Sequence, residues 1–566
     1  MGNQRLLVWT VFGFLAWLTY QQWMQDYGTI IEDSVVPVLE EGLLPATEDA
    51  ELPVLLDSPI HTPQVEVVPT LPKTPVTAID AGLIRVRTDV FEVDIDTRGG
   101  TLRTAELLNY PVAKDQPDTL VKLLSERPSN AGAIQSGLRT VGGGPEANHL
   151  AIFTGNRSEY AFDGYDELIV PLSWTDGQGI TVIKQYRFTR GSYVIELQHK
   201  VINRSQSEWR GAEYAQIQRR SFAIERSMFD VDSYSYDGPV AYDGEKSEKI
   251  KRKDLLSDGP YTVAAQGGWI ATIQHHFLNA VVPPAQGQYR LNIAQKGDIA
   301  VASIIGPVRI VAPQGDETFE TTLFVGPKLQ SQLEEVTKSL KLTVDYGWLT
   351  ILSGPLFWLL SKVYNVLQNW GFAIIFVTIL IKLAFYKLTQ TSGRSMAKMR
   401  TIQPRMKALQ ERYKDDRQQL SQAMMELYKR EKVNPAAGCL PILIQMPFFL
   451  AFYWVLLESV EMRQAPFVLW ITDLSMRDPY FILPLIMGAA MLLQTKLNPT
   501  PADPVQAKVM QIMPIMFTGF FAFFPSGLVL YWVTNTVLSI AQQWHINKVV
   551  ELESKKGKAS KKGKGK

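Results

Sequence analysis

The stretch FVTILIKLAFY, residues 376–386, is apolar enough to lie in a lipid bilayer, yet it contains a lysine, Lys382. A lysine at the bilayer centre costs about 2.5–3.5 kcal/mol on insertion scales, so water or polar groups must receive its ammonium. Lys387 follows five residues later, about 7.5 Å along a helix, so one interpretation is that Lys382 reaches the headgroup layer. The other is that Lys382 faces a hydrated space between helices.

Polar residues at helical spacing favour the second interpretation. Thr378, Lys382 and Tyr386 fall at i, i+4 and i+8, on one face of a predicted helix. Gln445 adds an amide to another apolar segment. None of the predicted spans has a mid-span Asp or Glu that could neutralise the lysine. A further polar stripe lies within the last apolar segment, at Tyr531, Asn535, Ser539 and Gln542. We therefore expect these stripes to face one another across a hydrated, positively charged cavity.

Apolar segments dominate the chain after residue 343. The segment 348–367 is interrupted by Gly354–Pro355 and carries polar residues along one side, which predicts a helix lying in the membrane interface. Several later segments are shorter than the roughly 20 residues of a full span, which indicates a locally thinned bilayer. The predicted spans are 371–386, 440–459, 480–497, 509–524 and 526–544.

The distribution of basic residues predicts the orientation in the membrane. Residues 387–440 hold twelve Lys/Arg and five Asp/Glu, and the tail from residue 545 holds eight lysines and two glutamates. The loop 461–479 has only two basic residues. With positive loops inside, both termini are cytoplasmic and the region between the first two spans lies outside.

The chain before residue 343 has a different character. Residues 6–20 are apolar and no small-residue cleavage site follows them, which favours an uncleaved anchor over a removed signal peptide. Residues 26–80 hold eight prolines and eleven acidic residues against one base, which is typical of an extended tether. From about residue 83 to 340 apolar and polar residues alternate, as in VFEVDID (90–96), YVIELQHKVIN and YRLNIA. Short strands between Gly/Pro/Asn turns predict a large antiparallel sandwich.

Residues 388–438 predict a basic helical hairpin, with Asp415–Asp416 suited to its turn and to capping its second helix. Pro404 predicts a kink in the first helix. Apolar residues recur every three or four positions along both helices. They are Met399, Ile402, Met406, Leu409 and Tyr413 in the first helix and Leu420, Met424 and Leu427 in the second.

Several classes of chemistry find no support in the sequence. Cys439 is the single cysteine, so no disulfide forms within the chain. The six histidines show no metal-binding spacing, and His275–His276, adjacent in a predicted strand, are expected on opposite faces. No phosphate-binding loop, nucleophile elbow or dinucleotide fingerprint occurs. We expect no enzymatic activity and no cofactor.

Six longer stretches have the character of family motifs and together cover nearly all of residues 344–545. They are NWGFAII (369–375), SMAKMR (395–400), EKVNPAAGCLPILIQMPFFLAFYW (431–454), VEMRQAPFVLWITDLSMRDPYFILP (460–484), DPVQAKVMQIMPIMF (503–517) and FPSGLVLYW (524–532). In these stretches the chain resembles the YidC family, the membrane protein insertases of Gram-negative bacteria.

The resemblance implies a multi-domain architecture with a periplasmic β-supersandwich and a five-helix insertase core. The expected parts are an N-terminal transmembrane anchor (1–25), a Pro-rich acidic linker (26–80), the periplasmic β-sandwich (81–342), an interfacial amphipathic helix (343–369), the second transmembrane helix (370–387), a cytoplasmic helical hairpin (388–438), the third to sixth transmembrane helices (439–545) and a basic cytoplasmic tail (546–566).

The resemblance also implies a hydrophilic groove that is open to the cytoplasm and to lipid. Lys382 takes the position of the family's groove arginine, and Thr378 corresponds to its substrate-contacting threonine. Trp532 stands where a tyrosine is usual, with Tyr531 beside it. Lysine has no planar fork for bidentate binding, so this departure favours a general electrostatic role.

We therefore hypothesise a non-enzymatic insertase of the bacterial inner membrane. The polar part of a nascent membrane protein enters a groove lined by Lys382, Thr378, Gln445, Tyr531, Trp532 and Asn535. Its apolar part then moves into lipid along the third and fifth spans, past Phe448, Phe449, Phe452, Met513 and Phe517. Hydrophobic transfer, at roughly 0.8 kcal/mol per buried CH₂, drives insertion without nucleotide hydrolysis.

Expected partners are nascent membrane proteins, the Sec translocon, the ribosome and anionic lipids. The hairpin and the basic tail KKGKASKKGKGK are candidates for ribosome binding, and anionic lipid is an equal alternative for the tail. The oligomeric state stays open, and a monomer suffices for the hypothesis.

Two other functions compete with insertion. In a solute transporter Lys382 would bind a small anion, but transporters tend to show paired broken helices in two related halves, and no internal repeat occurs here. In a membrane-anchored carbohydrate enzyme the β domain would carry paired carboxylates, and the membrane spans would have no role.

Overall fold

The computed structural model describes residues 52–53, 82–220, 235–413, 416–431, 433, 440–498 and 504–563. The predicted anchor (1–25) lies outside the described residues, and so does the predicted linker (26–80) apart from residues 52–53. Cys439 and Asp415 also lie outside them.

Strands occupy the chain from Leu83 to Pro327. In chain order they are β1 (Leu83–Arg87), β2 (Phe91–Asp96), β3 (Thr101–Ala113), β4 (Gln116–Leu124), β5 (Gly132–Thr140), β6 (Thr154–Gly155), β7 (Glu159–Ala161), β8 (Glu167–Thr175), β9 (Ile180–Thr189), β10 (Val194–Asn203), β11 (Trp209–Arg220), β12 (Asp237–Tyr242), β13 (Ser247–Lys249), β14 (Tyr261–Gln266), β15 (Trp269–Gln274), β16 (Phe277–Val282), β17 (Gln288–Lys296), β18 (Ile299–Ile305), β19 (Arg309–Val311) and β20 (Asp316–Pro327).

The strands form two sheets. The eleven-stranded sheet has the order β14-β17-β18-β11-β5-β3-β2-β1-β7, with β19 beside β11 and β4 beside β3. The nine-stranded sheet has the order β13-β12-β15-β16-β20-β10-β9-β8-β6. Among the described strands only β1 and β7 pair in parallel. Two largely antiparallel sheets around one core form a β-sandwich, so the predicted fold of this region is confirmed.

The sandwich core follows from the alternation in the sequence. Phe91, Val93 and Ile95 of β2 are fully buried, whereas Glu92 and Asp94 between them are half-buried. β9 and β10 alternate in the same way along their whole length. Because successive side chains of a strand point to opposite faces, this alternation places one apolar face of each strand in the core.

A buried lysine joins the two sheets behind the turn TRGG (97–100). Lys184 of β9 donates hydrogen bonds of 2.7 Å to the Gly99 carbonyl and 3.0 Å to the Ser136 carbonyl on β5. A Cβ on Gly100 would lie 2.9 Å from the Lys184 side chain, so glycine is required for this approach. Burial lowers the pKa of Lys184 to about 7, and the two carbonyls satisfy its ammonium in the core.

Helices dominate the chain after the last strand. The α-helices are α1 (Arg252–Ser257), α2 (Gln330–Val336), α3 (Thr350–Leu367), α4 (Trp370–Ala384), α5 (Tyr386–Arg412), α6 (Arg417–Arg430), α7 (Leu440–Glu458), α8 (Ile482–Leu497), α9 (Pro504–Phe521) and α10 (Ser526–Gly563).

The helix boundaries differ from the prediction at two places. α3 continues through Pro355, which lies near its N-terminus, so the predicted interruption at Gly354–Pro355 is wrong. The predicted span 371–386 is bent, because α4 ends at Ala384 and α5 leaves it at an angle of 70°. No single helix of the described residues is both long and apolar enough to cross a membrane. The bent pair α4 and α5 together has the required length and composition. Parts of α7, α8 and α9 are shorter apolar helices.

The helical hairpin has the predicted apolar seam. One cluster contains Met399, Ile402, Met406, Met424, Leu427 and Val433, with Leu409, Leu420 and Tyr428 packed against it. The Asp416 carboxylate accepts hydrogen bonds of 2.9 Å from the backbone N–H groups of Gln418 and Gln419, which confirms the predicted cap. The helix α5 continues through Pro404.

The last helix extends far beyond the predicted span 526–544. α10 continues to Gly563, so the first part of the predicted basic tail (546–566) is helical. Ile546 and Val550 of this extension pack against Ala397 of α5. The extension therefore connects the last apolar helix to the hairpin.

The β domain contacts the loop that follows α7. Arg463 donates hydrogen bonds of 2.9 Å to the carbonyls of Pro111 and Val112, at the tip of the β3–β4 hairpin. Lys114 at the same tip donates to the carbonyls of Gln464 and Thr472. Backbone carbonyls on both sides accept these charged donors, so the tip is attached to the loop without any carboxylate.

Glu461, in the same loop, is buried against the segment that follows β20. Its Oε1 accepts a 3.2 Å hydrogen bond from the Gln330 backbone N–H, whereas its Oε2 is buried without a partner among the described residues. Desolvation raises the pKa of Glu461 from 4.5 to about 7. This folded-state pKa lies above the unfolded value. The stability that it contributes is therefore fully present below the unfolded pKa and is lost as the pH rises through about 7.

We expect Glu461→Gln to remove this pH dependence. Wild-type Tm should fall relative to the Tm of Glu461→Gln between pH 5 and pH 8, because only the carboxyl must ionise while buried, at a cost of about 1–3 kcal/mol. The measurement is thermal unfolding of the full chain in detergent. Burial holds the pKa of His276 well below its usual value, and His276 is present in both proteins, so the comparison cancels its effect.

Glu335→Gln, at an exposed position of α2, is the matched control and should follow the wild type at every pH. A Tm difference between wild type and Glu461→Gln that does not change with pH would contradict the prediction.

Candidate functional site

The ammonium of Lys382 turns toward α10. Its Nζ donates a 2.7 Å hydrogen bond to the Ser539 Oγ, and the Ser539 hydroxyl donates in turn to the Asn535 carbonyl at 2.7 Å. The serine therefore serves as both acceptor and donor. Among the described residues no carboxylate acts on Lys382. The positive charge of this lysine thus has a neutral, exchangeable partner.

A second contact continues this series of polar contacts to α7. The Asn535 Nδ2 donates a 3.0 Å hydrogen bond to the Gln445 Oε1. One turn further along α10 than Ser539, the Gln542 Nε2 donates to the Thr389 Oγ1 at 2.9 Å. We call the residues Lys382, Ser539, Asn535 and Gln445 the polar line. All four are half-buried, so they are neither sealed in the core nor fully exposed.

Packing explains why these side chains meet. α10 contacts α4, α5, α7 and α8, so it is the central helix of the bundle. Helices that approach α10 present their residues to its polar stripe, whose members recur every three or four positions. The structure thus brings together three predicted groove residues, Lys382, Gln445 and Asn535, by way of Ser539.

Thr378 does not belong to the polar line. It is 1% exposed, and its Oγ1 donates a 2.6 Å hydrogen bond to the Ile374 carbonyl of the same helix. Tyr386 lies on the other side of the bend between α4 and α5, and it is exposed. The predicted continuous stripe Thr378–Lys382–Tyr386 is therefore wrong, because its ends face different surroundings.

The two aromatic groove candidates pack among phenylalanines. Tyr531 is 2% exposed and its ring stacks on Phe452, with centroids 4.4 Å apart. Trp532 is half-buried and meets Phe449 edge to face at 4.9 Å. Among the described residues, neither Tyr531 nor Trp532 forms a hydrogen bond to the polar line through its side chain. Both side chains therefore contribute apolar surface beside it.

The five residues of the predicted path into lipid differ in exposure. Phe452 is fully buried in the core, so its predicted place on the lipid-facing path is wrong. Phe448, Phe449 and Phe517 are half-buried, and Met513 is exposed. Phe517 lies 6.4 Å from Trp532 between ring centroids, which connects α9 to α10 through aromatic contacts.

Sequence reasoning missed some residues of this region. Thr389 and Phe385 were not predicted, although Thr389 binds Gln542 and the ring of Phe385 lies 5.3 Å from that of Phe448. Both are close to the bend after α4, where the helix face changes direction. Ser539 was in the predicted stripe, and its spacing of four residues from Asn535 was the signal for its place.

These features define a class of protein: an antiparallel β-sandwich followed by apolar helices that surround a lysine-centred polar line. Residues 83–359 match the family model for the YidC periplasmic domain, and residues 362–555 match that for the 60Kd inner membrane protein. The chain therefore combines a periplasmic domain with an inner-membrane helical domain.

Individual relatives agree with the family models. The membrane protein insertase YidC of Methylococcus capsulatus is 50% identical over 474 residues, which cover 83% of this chain and 86% of that protein. The membrane protein insertase YidC of Thioalkalivibrio sulfidiphilus is 45% identical over 571 residues, 98% of this chain and 100% of that protein. A crystal structure of an active YidC insertase aligns with a TM-score of 0.37 at 18% identity, over 81% of this chain and 94% of that one. The chain belongs to the YidC family of membrane protein insertases.

The contact between Gln445 and Asn535 predicts an energetic coupling. In a double-mutant cycle with Gln445→Leu and Asn535→Leu, we expect a coupling energy of about 0.6–1.7 kcal/mol, the range of hydrogen bonds between membrane helices. The measurement is the free energy of unfolding in mixed detergent micelles.

The control cycle pairs Gln445→Leu with Gln542→Leu, because Gln542 binds Thr389 instead. Its coupling should be close to zero. Equal coupling in the two cycles would contradict the pairing of Gln445 with Asn535.

Proposed function

We propose that this protein inserts nascent membrane proteins through a hydrated groove between α4, α7 and α10. The observation that carries the proposal is the polar line, which joins three helices. In it an ammonium that has no carboxylate partner among the described residues lies beside half-buried amides and a hydroxyl. Water beside this line lowers the cost of the buried charge.

Lys382 supplies the electrostatic attraction. Its bond to the Ser539 hydroxyl is easily exchanged for a bond to a substrate carboxylate, because a pair in which both partners are ionised is the stronger interaction. Gln445 and Asn535 then offer amide donors and acceptors to the polar backbone of the substrate. The preferred substrates therefore carry acidic, hydrophilic segments that must cross the membrane.

Thr378 and Tyr531 have supporting roles in this proposal. The Thr378 hydroxyl is already bonded within α4, and the Tyr531 ring is stacked on Phe452, so both fix the helices that carry the polar line. Trp532 lies at the boundary between the polar line and the aromatic residues of α7 and α9. It is the expected contact of a substrate segment that leaves the groove.

The apolar segment of the substrate moves into lipid along α7 and α9. Phe448, Phe449, Phe517 and Met513 provide a partly exposed apolar path, from which Phe452 is now excluded. Each CH₂ transferred to lipid contributes about 0.8 kcal/mol, so no nucleotide hydrolysis is needed. The α-helices α4, α7 and α9 have 15, 19 and 18 residues, lengths that suit a thinned bilayer and shorten the crossing.

Orientation and partners complete the proposal. Both termini are cytoplasmic, and the basic hairpin and the C-terminal extension of α10 face the ribosome or anionic lipid on that side. The protein acts alone or beside the Sec translocon, and a monomer suffices. The residue on which insertion depends most is Lys382.

Charge at position 382 should decide the insertion of acidic substrates. We expect Lys382→Arg to insert at a rate within about twofold of wild type and Lys382→Glu at least about tenfold slower, equal to about 1.4 kcal/mol, because a like charge repels the substrate. The measurement is protease protection of a two-span substrate with an acidic outer segment, in proteoliposomes of the full chain. A second substrate has Asn and Gln in place of the acidic residues and should be affected much less.

Lys362→Glu is the matched control, because Lys362 is an exposed lysine of α3 that lies over the Trp358 ring. It should insert both substrates normally. Equal insertion of the acidic substrate by Lys382→Glu and wild type would contradict the proposal, and so would equal loss with both substrates.

A further inference from the structure

An acidic residue closes the apolar helix α7 and is buried against the β domain. Glu458 is the last residue of α7, and its Oε2 lies 3.1 Å from the Nζ of Lys328, directly after β20. The two side chains are 7% and 1% exposed. A carboxylate at a helix C-terminus is repelled by the helix dipole, so the lysine must compensate for both the burial and the dipole.

The neighbouring carbonyl of α7 is held by two histidines of the β domain. The Nε2 atoms of His275 and His276 each lie 2.9 Å from the Leu457 carbonyl oxygen, and their rings stack with centroids 3.7 Å apart. Their predicted placement on opposite faces of a strand is therefore wrong, because they form the turn between β15 and β16. Carbonyls in the last turn of a helix lack partners within the helix, and here the β domain supplies them.

The lysine and the histidines form one unit. The Lys328 backbone N–H donates a 2.8 Å hydrogen bond to the His276 carbonyl, and the Lys328 Nζ also donates to the Thr343 carbonyl at 3.4 Å. Beside them the Tyr346 hydroxyl meets the Ser459 Oγ at 3.2 Å. The end of α7 is thus enclosed by polar contacts from three segments of the β domain and its exit.

α7 connects this junction to the groove. Gln445 of the polar line lies thirteen residues before Glu458, about 20 Å along the same helix. The Gln445–Asn535 bond and two aromatic pairs join α7 to α10, and Leu456 packs beside Gly527 nearer the outer end of α7. A displacement of the outer end of α7 therefore shifts the groove wall that Gln445 provides.

We propose that Lys328 and Glu458 are positioning residues that make the periplasmic domain a fixed brace on the outer end of α7, so that this domain sets the position of one groove wall. The brace is a property of the junction, whereas its effect on substrates rests on the proposed function. The domain then acts on insertion mechanically, from the opposite side of the membrane.

Among the ion pairs that Lys and Arg form in the described part of the chain, the pair Lys328–Glu458 is the most buried. Removing one partner of a buried pair leaves an uncompensated charge and destabilises strongly, whereas exposed pairs contribute little. Lys328→Met leaves the Glu458 carboxylate buried alone, and the double variant Lys328→Met/Glu458→Met removes both charges at nearly constant volume. Lys341→Met is the matched control, because Lys341 pairs with Glu334 at 2.9 Å on the exposed surface of the same domain.

Two measurements on the full chain test the brace. The first is hydrogen exchange of the backbone amides of residues 455–464 in lipid nanodiscs. We expect Lys328→Met to exchange at least about tenfold faster than wild type, equal to about 1.4 kcal/mol. The double variant should return to within about threefold of wild type, and Lys341→Met should match wild type.

The second measurement is photo-crosslinking of a stalled nascent chain from a benzophenone side chain at position 445 on α7 or 532 on α10. We expect Lys328→Met to reduce the yield from position 445 at least about threefold and to leave that from position 532 unchanged, with rescue in the double variant. A purely structural defect would lower both yields together.

Unchanged exchange in Lys328→Met would overturn the brace, and so would an equal fall in the yields from both positions. An unrescued double variant would also overturn it, because packing rather than charge would then be responsible. Wild-type protein that crosslinks from neither position would contradict the proposed groove, and the exchange measurement would still decide whether the brace exists.

Discussion

The constraint on which the helical domain depends is the charge of Lys382. An ammonium within an apolar bundle must find polar partners, and in this chain it finds them on another helix. Ser539 can accept its hydrogen bond only if α4 packs against α10, and Asn535 can meet Gln445 only if α7 approaches the same face. The polar line therefore specifies which helices are neighbours, in a region where apolar packing alone offers many arrangements.

The two ends of α7 are held by different means. Near the polar line the helix has a neutral amide pair and aromatic contacts, which are exchangeable. At its outer end it has a buried ion pair and two histidines, which are costly to separate. A helix that is fixed at one end and adaptable at the other suits the groove wall that we propose.

Local patterns predicted local structure well. The period of two in VFEVDID indicated a half-buried strand, the three-and-four spacing from Met399 to Leu427 indicated the hairpin seam, and Asp416 was a recognisable cap. Two members of the predicted stripes contact residues of other helices, Lys382 at Ser539 and Asn535 at Gln445. Each of these signals lies within one element, where geometry relates spacing to a face.

The failures arose where tertiary contacts decide. The bend after Ala384 separates Tyr386 from Lys382, and the Thr378 hydroxyl donates to a carbonyl of its own helix. No spacing rule pairs Lys328 with Glu458, which are 130 residues apart, or directs two adjacent histidines to one carbonyl in another domain. Phe452 looked like its neighbours in sequence, but the helix turns it into the core. These partners and burials depend on which surfaces of different elements meet. The sequence pattern of a single helix or strand does not determine this.

The proposed groove requires water beside the polar line, and cysteine accessibility tests this most directly. In a full chain with Cys439 replaced by serine, single cysteines at Asn535 and Val537 of α10 are treated with a charged, membrane-impermeant maleimide in lipid vesicles. Val537 is the more exposed of the two, on the outer surface of the bundle. We expect Asn535→Cys to react at least about tenfold faster than Val537→Cys, because its thiol faces water while that of Val537→Cys faces lipid. Equal, slow reaction at both positions would mean that the bundle is dry, and the groove would not exist.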